Sequence, residues 1–274
     1  MLKNLFNLAA LACVTINLFP SSVCAQVGAL SLVPGGSGIT MVSRQHFLGA
    51  DGLNLRNCQG HGQIIQLRGV NLGGWLEWQE WMCPIDSSGS LQDDNPGHNG
   101  FNFEVRQLLV RRFGQAVADD LVDAYENAWI SIADLKRIQA LGFNVMRLPL
   151  AYDTFLNNDG SWRSNAFQRV DWLVTNAWQR GIYTILDYHA FLPPAANQDG
   201  SARGYWNNSA QKGETVQVWK RIAEHYRGNP AIAMYDLLNE PNNSAPPDHP
   251  PPAASVVCDF YDQLYRAIRA VDPD

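Results

Sequence analysis

The recurring order of helical face, glycine and short apolar run is what most restricts the fold of this chain. Ser131 stands where it can cap a helix, with Asp134 three residues on. Ile132, Leu135, Ile138 and Leu141 then share a face, and Gly142 ends it. Residues 143–148 form a predicted strand, stopped by Pro149. The pattern returns with Phe167, Val170, Leu173, Val174 and Ala177 on one face and Gly181 as the close. A strand over 182–186 leads into Asp187-Tyr188-His189. It returns again with Val216, Trp219, Ile222, Ala223 and Tyr226, and Gly228-Asn229-Pro230 breaks that helix. A strand over 231–238 runs into Asn239-Glu240-Pro241. Beyond a proline-rich stretch at 246–252, a last helix carries Phe260, Leu264, Ala267 and Ile268.

Residues 67–72 read as an earlier strand, which makes four strand–helix units. Strands alternating with amphipathic helices imply an α/β fold with a parallel sheet and helices outside it. Such strands are expected to be apolar throughout because both faces are covered. Two architectures fit: an open doubly wound sheet or a (β/α)8 barrel of TIM type. The doubly wound fold usually places a glycine-rich phosphate turn after its first strand. Gly69-Val70-Asn71-Leu72-Gly73-Gly74 lacks that order, so the barrel is favoured. Polar residues gather at the strand ends: Asn71, Arg147, His189, Asn239 and Glu240. In parallel sheets, chemistry collects there. Ahead of the first unit a hairpin is expected, with Leu53 and Leu55 alternating, Gly60-His61-Gly62 turning, and Ile64, Ile65 and Leu67 resuming.

The chain opens differently. Lys3, an apolar run over 5–18 and Val23-Cys24-Ala25 read as a secretory signal peptide over 1–25. The run is short for a membrane span. Residues 26–45 read as a flexible lead-in, and 46–274 as the N-terminal half of a barrel domain. The expected location is secreted, extracellular or periplasmic, with no membrane association in the mature form. The formal net charge is −6, and no basic stripe marks a nucleic-acid surface. Cleavage would leave Cys58, Cys83 and Cys258, which allow one disulfide of undetermined pairing. No cysteine or histidine spacing points to a metal. Asn207-Asn208-Ser209 and Asn242-Asn243-Ser244 fit the glycosylation sequon.

The strand ends carry a specific resemblance. Residues 67–75, Leu-Arg-Gly-Val-Asn-Leu-Gly-Gly-Trp, look like the first strand of glycoside hydrolase family 5. Residues 142–149, Gly-Phe-Asn-Val-Met-Arg-Leu-Pro, look like its second. Asp187-Tyr188-His189 resembles the end of the third, and Leu238-Asn239-Glu240-Pro241 the end of the fourth. The resemblance implies a (β/α)8 barrel, retaining hydrolysis of β-linked glucans or mannans, and no cofactor.

It also implies roles. Glu240 matches the general acid/base, and Asn239 the residue that bonds the sugar 2-hydroxyl. Arg147 matches the arginine that orients and charge-stabilises the nucleophile. His189 matches the histidine lining the glycone subsite. Each has a structural alternative. Arg147 would pair with Asp187 or Asp236 in any fold that buried it, and His189 would serve as a satisfied core histidine. Trp75, Trp78 and Trp81 offer flat apolar faces for pyranose rings, or else pack the core. Near relatives carry a glutamate where this chain has Gln79, so Gln79 is a candidate substrate contact and Glu77 or Glu80 a candidate substitute.

A retaining glycosidase needs two carboxyl groups roughly 5–5.5 Å apart. In the family the nucleophile ends the seventh strand, and no position here matches it. The expectation is a chain with only about the first four strand–helix units, unpaired sheet edges and little activity alone. A non-catalytic carbohydrate-binding remnant is the competing expectation. Linkage and endo or exo action stay open.

Overall fold

The computed structural model describes residues 46–79, 102–157, 159–190, 203–241 and 252–274. The expected signal peptide, the lead-in, Glu80, Trp81, Cys83 and the sequon at Asn242 lie outside them. Two short strands, β1 (Gly49–Asp51) and β2 (Asn54–Arg56), pair antiparallel. The tight turn between them falls at Gly52-Leu53, and Gly52 takes a φ of 58° that a side chain would resist. The hairpin was expected one turn later. Gly60-His61-Gly62 does reverse the chain, but only a single bridge, Arg56 to Ile64, follows from it.

The main sheet contains β3 (Gly69–Asn71), β4 (Val145–Ala151), β5 (Tyr183–Ala190) and β6 (Ile232–Asp236), in that order and all parallel. Asn144 holds the entry: its side chain accepts from Arg68 N at 2.7 Å and donates to Gln66 O at 2.8 Å. Pro149 was expected to stop β4, yet the strand runs two residues past it. Leu72 N donates to Arg147 O and Ala151 N to Leu76 O, so odd-numbered groups of β4 face the β3 side. β3 pairs only as far as Arg147, so the missing N–H of Pro149 falls where, among the described residues, no strand needs it.

Helices cover one side of the sheet. They are α1 (Asn102–Phe113), α2 (Gln115–Trp129), α3 (Ile132–Ala140), α4 (Tyr152–Phe155), α5 (Gln168–Trp178), α6 (Arg203–Asn207), α7 (Ser209–Tyr226) and α8 (Ala254–Arg269). Asp134 Oδ2 accepts from Ser131 N at 3.0 Å, the reciprocal cap expected from the spacing. Leu135, Val170, Leu173, Trp219, Ile222 and Leu264 are fully buried against Met146, Leu148 and Leu186. Leu141 departs from its expected face. It follows the last turn of α3 and is 71% exposed. The sheet is not apolar on both faces either. The side opposite the helices carries Arg147, Asp187 and Asp236, and Met234 on β6 is 40% exposed.

Candidate active site

The polar side chains at the carboxyl ends of β3 to β6 converge on one guanidinium. Arg147 points from β4. Its Nη1 lies 2.9 Å from Asp187 Oδ2 on β5, and its Nε and Nη2 lie 3.0 and 2.8 Å from Asp236 Oδ2 on β6. Nη1 also donates to Asn71 Oδ1 at 3.1 Å, and Nη2 to Asn239 Oδ1 at 3.0 Å. The planar fork of an arginine suits this task, because it meets several acceptors at fixed angles. Of the two pairings left open by the sequence, Asp187 or Asp236, the structure forms both.

Asp187 is fully buried, so its charge depends on those partners. Burial raises its pKa, more than His189 and Arg147 lower it. His189 leaves β5 two residues later. Its Nδ1 lies 2.7 Å from Asp187 Oδ2, and its Nε2 faces two amides: Asn239 Nδ2 at 3.1 Å and Gln79 Nε2 at 3.2 Å. Burial acts to lower the His189 pKa, but the Asp187 hydrogen bond and charge, with help from Glu77, carry the net shift upward. Gln79 is therefore drawn into the site by His189.

Glu240 follows Asn239 directly. It is exposed and has a φ of 44°, in the left-handed region that non-glycine residues seldom occupy. Such backbone strain clusters where function demands a particular side-chain direction. Asn239 N reaches back to Tyr188 O, tying this turn to β5.

The profile of the Cellulase family (glycosyl hydrolase family 5) matches residues 110–274. The chain belongs to glycosyl hydrolase family 5. Among curated relatives, a β-xylosidase of Phanerodontia chrysosporium is 28% identical over 220 residues, covering 77% of this chain and 42% of that protein. A probable glucan 1,3-β-glucosidase A of Neosartorya fischeri is 25% identical over 260 residues, covering 92% of this chain and 55% of its own. The chain thus spans about half the length of the curated relatives it matches. Among solved structures, an endogalactoceramidase aligns with a TM-score of 0.56 at 21% identity, over 82% of this chain and 50% of that one. That likeness shows the fold.

Within this family 5 chain the site residues foreseen from sequence divide. Arg147, His189, Asn239 and Gln79 meet in one cluster, and Glu240 adjoins it. Trp75 does not. It is 2% exposed, its Nε1 donates to Glu126 O at 2.7 Å, and its ring packs edge-on to Trp172. The expectation that it stacks on sugar is corrected, because both ring faces belong to the core. Trp78 is buried too, edge-on to Tyr125. Trp81 lies outside the described residues. Among the described residues, no group of histidines, cysteines and acids could hold a metal ion. No helix there is long and apolar enough to cross a membrane.

Sequence reasoning named Glu77 only as a stand-in for the glutamate that Gln79 replaces. The structure buries it to 1% exposure beside the cluster. A lone glutamate between tryptophans carries no pattern by which its burial is read.

Proposed function

We propose that this chain carries the acid/base half of a retaining glycosidase acting on β-linked glucans at the cell exterior. The observation that carries the reading is the fork of Arg147, which gathers Asp187, Asp236, Asn71 and Asn239 at one strand-end rim. Glu240 is the proton donor to the leaving glycosidic oxygen and then the base toward water. Asn239, oriented by Arg147, bonds the sugar 2-hydroxyl. Arg147 presents positive charge to the nucleophile and to the negative charge it delivers. His189 and Gln79 line the glycone side. The names of the relatives, glucan 1,3-β-glucosidase and β-xylosidase, support an O-glycosyl bond as the target and make laminari- and xylo-oligosaccharides the first substrates to try.

The second carboxyl of the retaining pair is proposed to lie outside these 274 residues, on a strand the family places seventh. The 274-residue chain is then expected to bind laminari-oligosaccharide without turnover, and a longer product reaching that strand to hydrolyse it. Calorimetry and reducing-sugar release check both. In the longer product Glu240→Gln should lower kcat by a factor on the order of 100 to 10,000, the range for a general acid. Glu240→Gln retaining full activity, or neither product engaging any β-glycan, overturns the reading. Binding without hydrolysis in the longer product identifies a carbohydrate-binding protein instead.

A further inference from the structure

Four side chains of the cluster close into a ring of hydrogen bonds. Asp187 Oδ2 takes Arg147 Nη1 at 2.9 Å and His189 Nδ1 at 2.7 Å. Arg147 Nη2 reaches Asn239 Oδ1 at 3.0 Å, and Asn239 Nδ2 reaches His189 Nε2 at 3.1 Å. Arg147 stands on β4, Asp187 and His189 on β5, and Asn239 in the turn after β6, so the ring ties three strand ends together. Both routes to Asn239, through the guanidinium and through the imidazole, start from one oxygen of Asp187.

Hydrogen-bond polarity leaves this ring one assignment. A guanidinium only donates, so both of its partners must accept. Asn239 therefore turns Oδ1 to Arg147 and its NH2 group to His189. An amide NH2 has no lone pair to offer, whichever of its two hydrogens is used. His189 Nε2 must then accept, and the proton of the neutral imidazole sits on Nδ1, where Asp187 receives it. Gln79 Nε2 approaches the same Nε2 at 3.2 Å, and the assignment does not require it. A second proton, on Nε2, would stand against the NH2 of Asn239. Asn239 cannot turn over to receive it without setting a donor against Arg147. The charged groups around the imidazole are Asp187 on β5, Arg147 on β4 and Glu77 after β3, with Asp236 on β6 beyond the guanidinium. Of these, Asp187 bonds the imidazole directly.

We propose that Asp187 and His189 are positioning residues for Asn239: the closed ring holds His189 as its Nδ1–H tautomer and, with Arg147, pins the Asn239 amide at both ends. One N–H of that amide is committed to His189, which leaves the other for a ligand. That ligand group is the sugar 2-hydroxyl only if the glycosidase reading holds, so the purpose of the ring rests on that reading and the ring itself does not. On this assignment His189 Nε2 offers no N–H to a sugar hydroxyl and acts through Asn239. Nitrogen-15 NMR of the His189 imidazole and the Asn239 side-chain amide in the 274-residue chain tests the ring without sugar. The neutral wild-type imidazole should be the Nδ1–H tautomer. The Asn239 amide signal should shift with the same midpoint as His189, because protonation breaks their bond. Asp187→Asn keeps an acceptor oxygen and loses the charge. The tautomer should persist, while the His189 transition falls by about 1–3 pH units and the Asn239 signal follows it. Asn239→Asp reverses the polarity at Nε2, and the transition should rise by about as much.

An Nε2–H tautomer in the wild type, or an imidazole still doubly protonated at about pH 9, overturns the proposal even if both variants fail to fold. So does an Asn239 signal that ignores the His189 transition, or a transition that neither variant moves. Laminari-oligosaccharide is then added to the wild-type chain. It should lower the His189 transition, because the closed ring, with His189 neutral, is the form that presents Asn239. Sugar that binds without moving the transition overturns the positioning role. A chain that binds no sugar while His189 and Asn239 respond as described loses the glycosidase reading and keeps the ring.

Discussion

Arg147 lies between two acids of unequal exposure. The Asp187 side chain is 0% exposed and that of Asp236 is 39% exposed. The buried partner needs the guanidinium more, since an uncompensated buried charge is far costlier than one reaching water. Around this pair, three groups hold protons more tightly in the fold than in the open chain. Glu77 and Asp187 are raised from 4.5 and 3.8, and His189 is raised from 6.5. The folded state therefore binds more protons than the unfolded one above these values. The slope of stability against pH is then negative. The stability these groups contribute is full below their unfolded values. It fades as pH climbs through the higher folded ones, from about 4 for the acids and from about 6.5 for the histidine. Asp134 and Asp159 are lowered and act in the opposite sense, near and below 3.8. Urea midpoints taken from pH 5 to pH 8 should decline, and Glu77→Gln should flatten the decline. A midpoint that rises across this range contradicts the assignment.

At the level of elements, β3 is the most exacting. It has three residues and, among the described residues, pairs only with β4. A Cβ on Gly69 would stand 1.8 Å from Val145 O, against a backbone that cannot retreat without breaking the ladder. Gly69→Ala should therefore cost at least about 2 kcal/mol, in the range of overpacked interiors. It should also weaken laminari-oligosaccharide binding, because Asn71 follows on the same strand and touches Arg147. Unchanged urea unfolding would mean that β3 sits further from β4. The remaining elements are better insulated. Asn208 caps α7 by accepting from Ala210 N at 3.0 Å and Gln211 N at 3.2 Å. Asn207, the acceptor position of the first sequon, is exposed at the end of α6.

Across the whole molecule, one buried acid joins three helices and, through a shared arginine, a fourth. Glu126 on α2 receives Arg106 Nη2 from α1 at 2.7 Å and Arg169 Nε from α5. Arg106 Nε in turn lies 2.6 Å from Asp153 Oδ2 on α4. Trp75 closes the group by donating to the Glu126 carbonyl, which binds this helical layer to the loop after β3. Glu126→Ala would leave two arginines facing each other without their shared acceptor. It should cost roughly 3 kcal/mol, the lower end for breaking a buried pair. Chemical denaturation checks it, and a loss under about 0.5 kcal/mol would place the network among weak surface pairs.

The periodic helices, the strands between them and the identity of the cluster residues were legible in the sequence. Local propensity and alternation leave marks every few residues, and α3, α5, α7 and α8 appear where those marks lie. Helices α1 and α2 were not foreseen. Pro149 misled because its cost depends on whether a neighbouring strand needs its N–H. Trp75 misled for a related reason, since a tryptophan in the core and one in a cleft have the same spelling. The circuit of two amides and one acid around His189, and the burial of Glu77 behind it, arose only when β3 to β6 were laid side by side. Its hydrogen-bonded pairs with His189 lie from two residues apart in sequence, Asp187, to 110, Gln79. Short-range pattern encodes which element forms. Which charge is buried, and beside what, is fixed by packing.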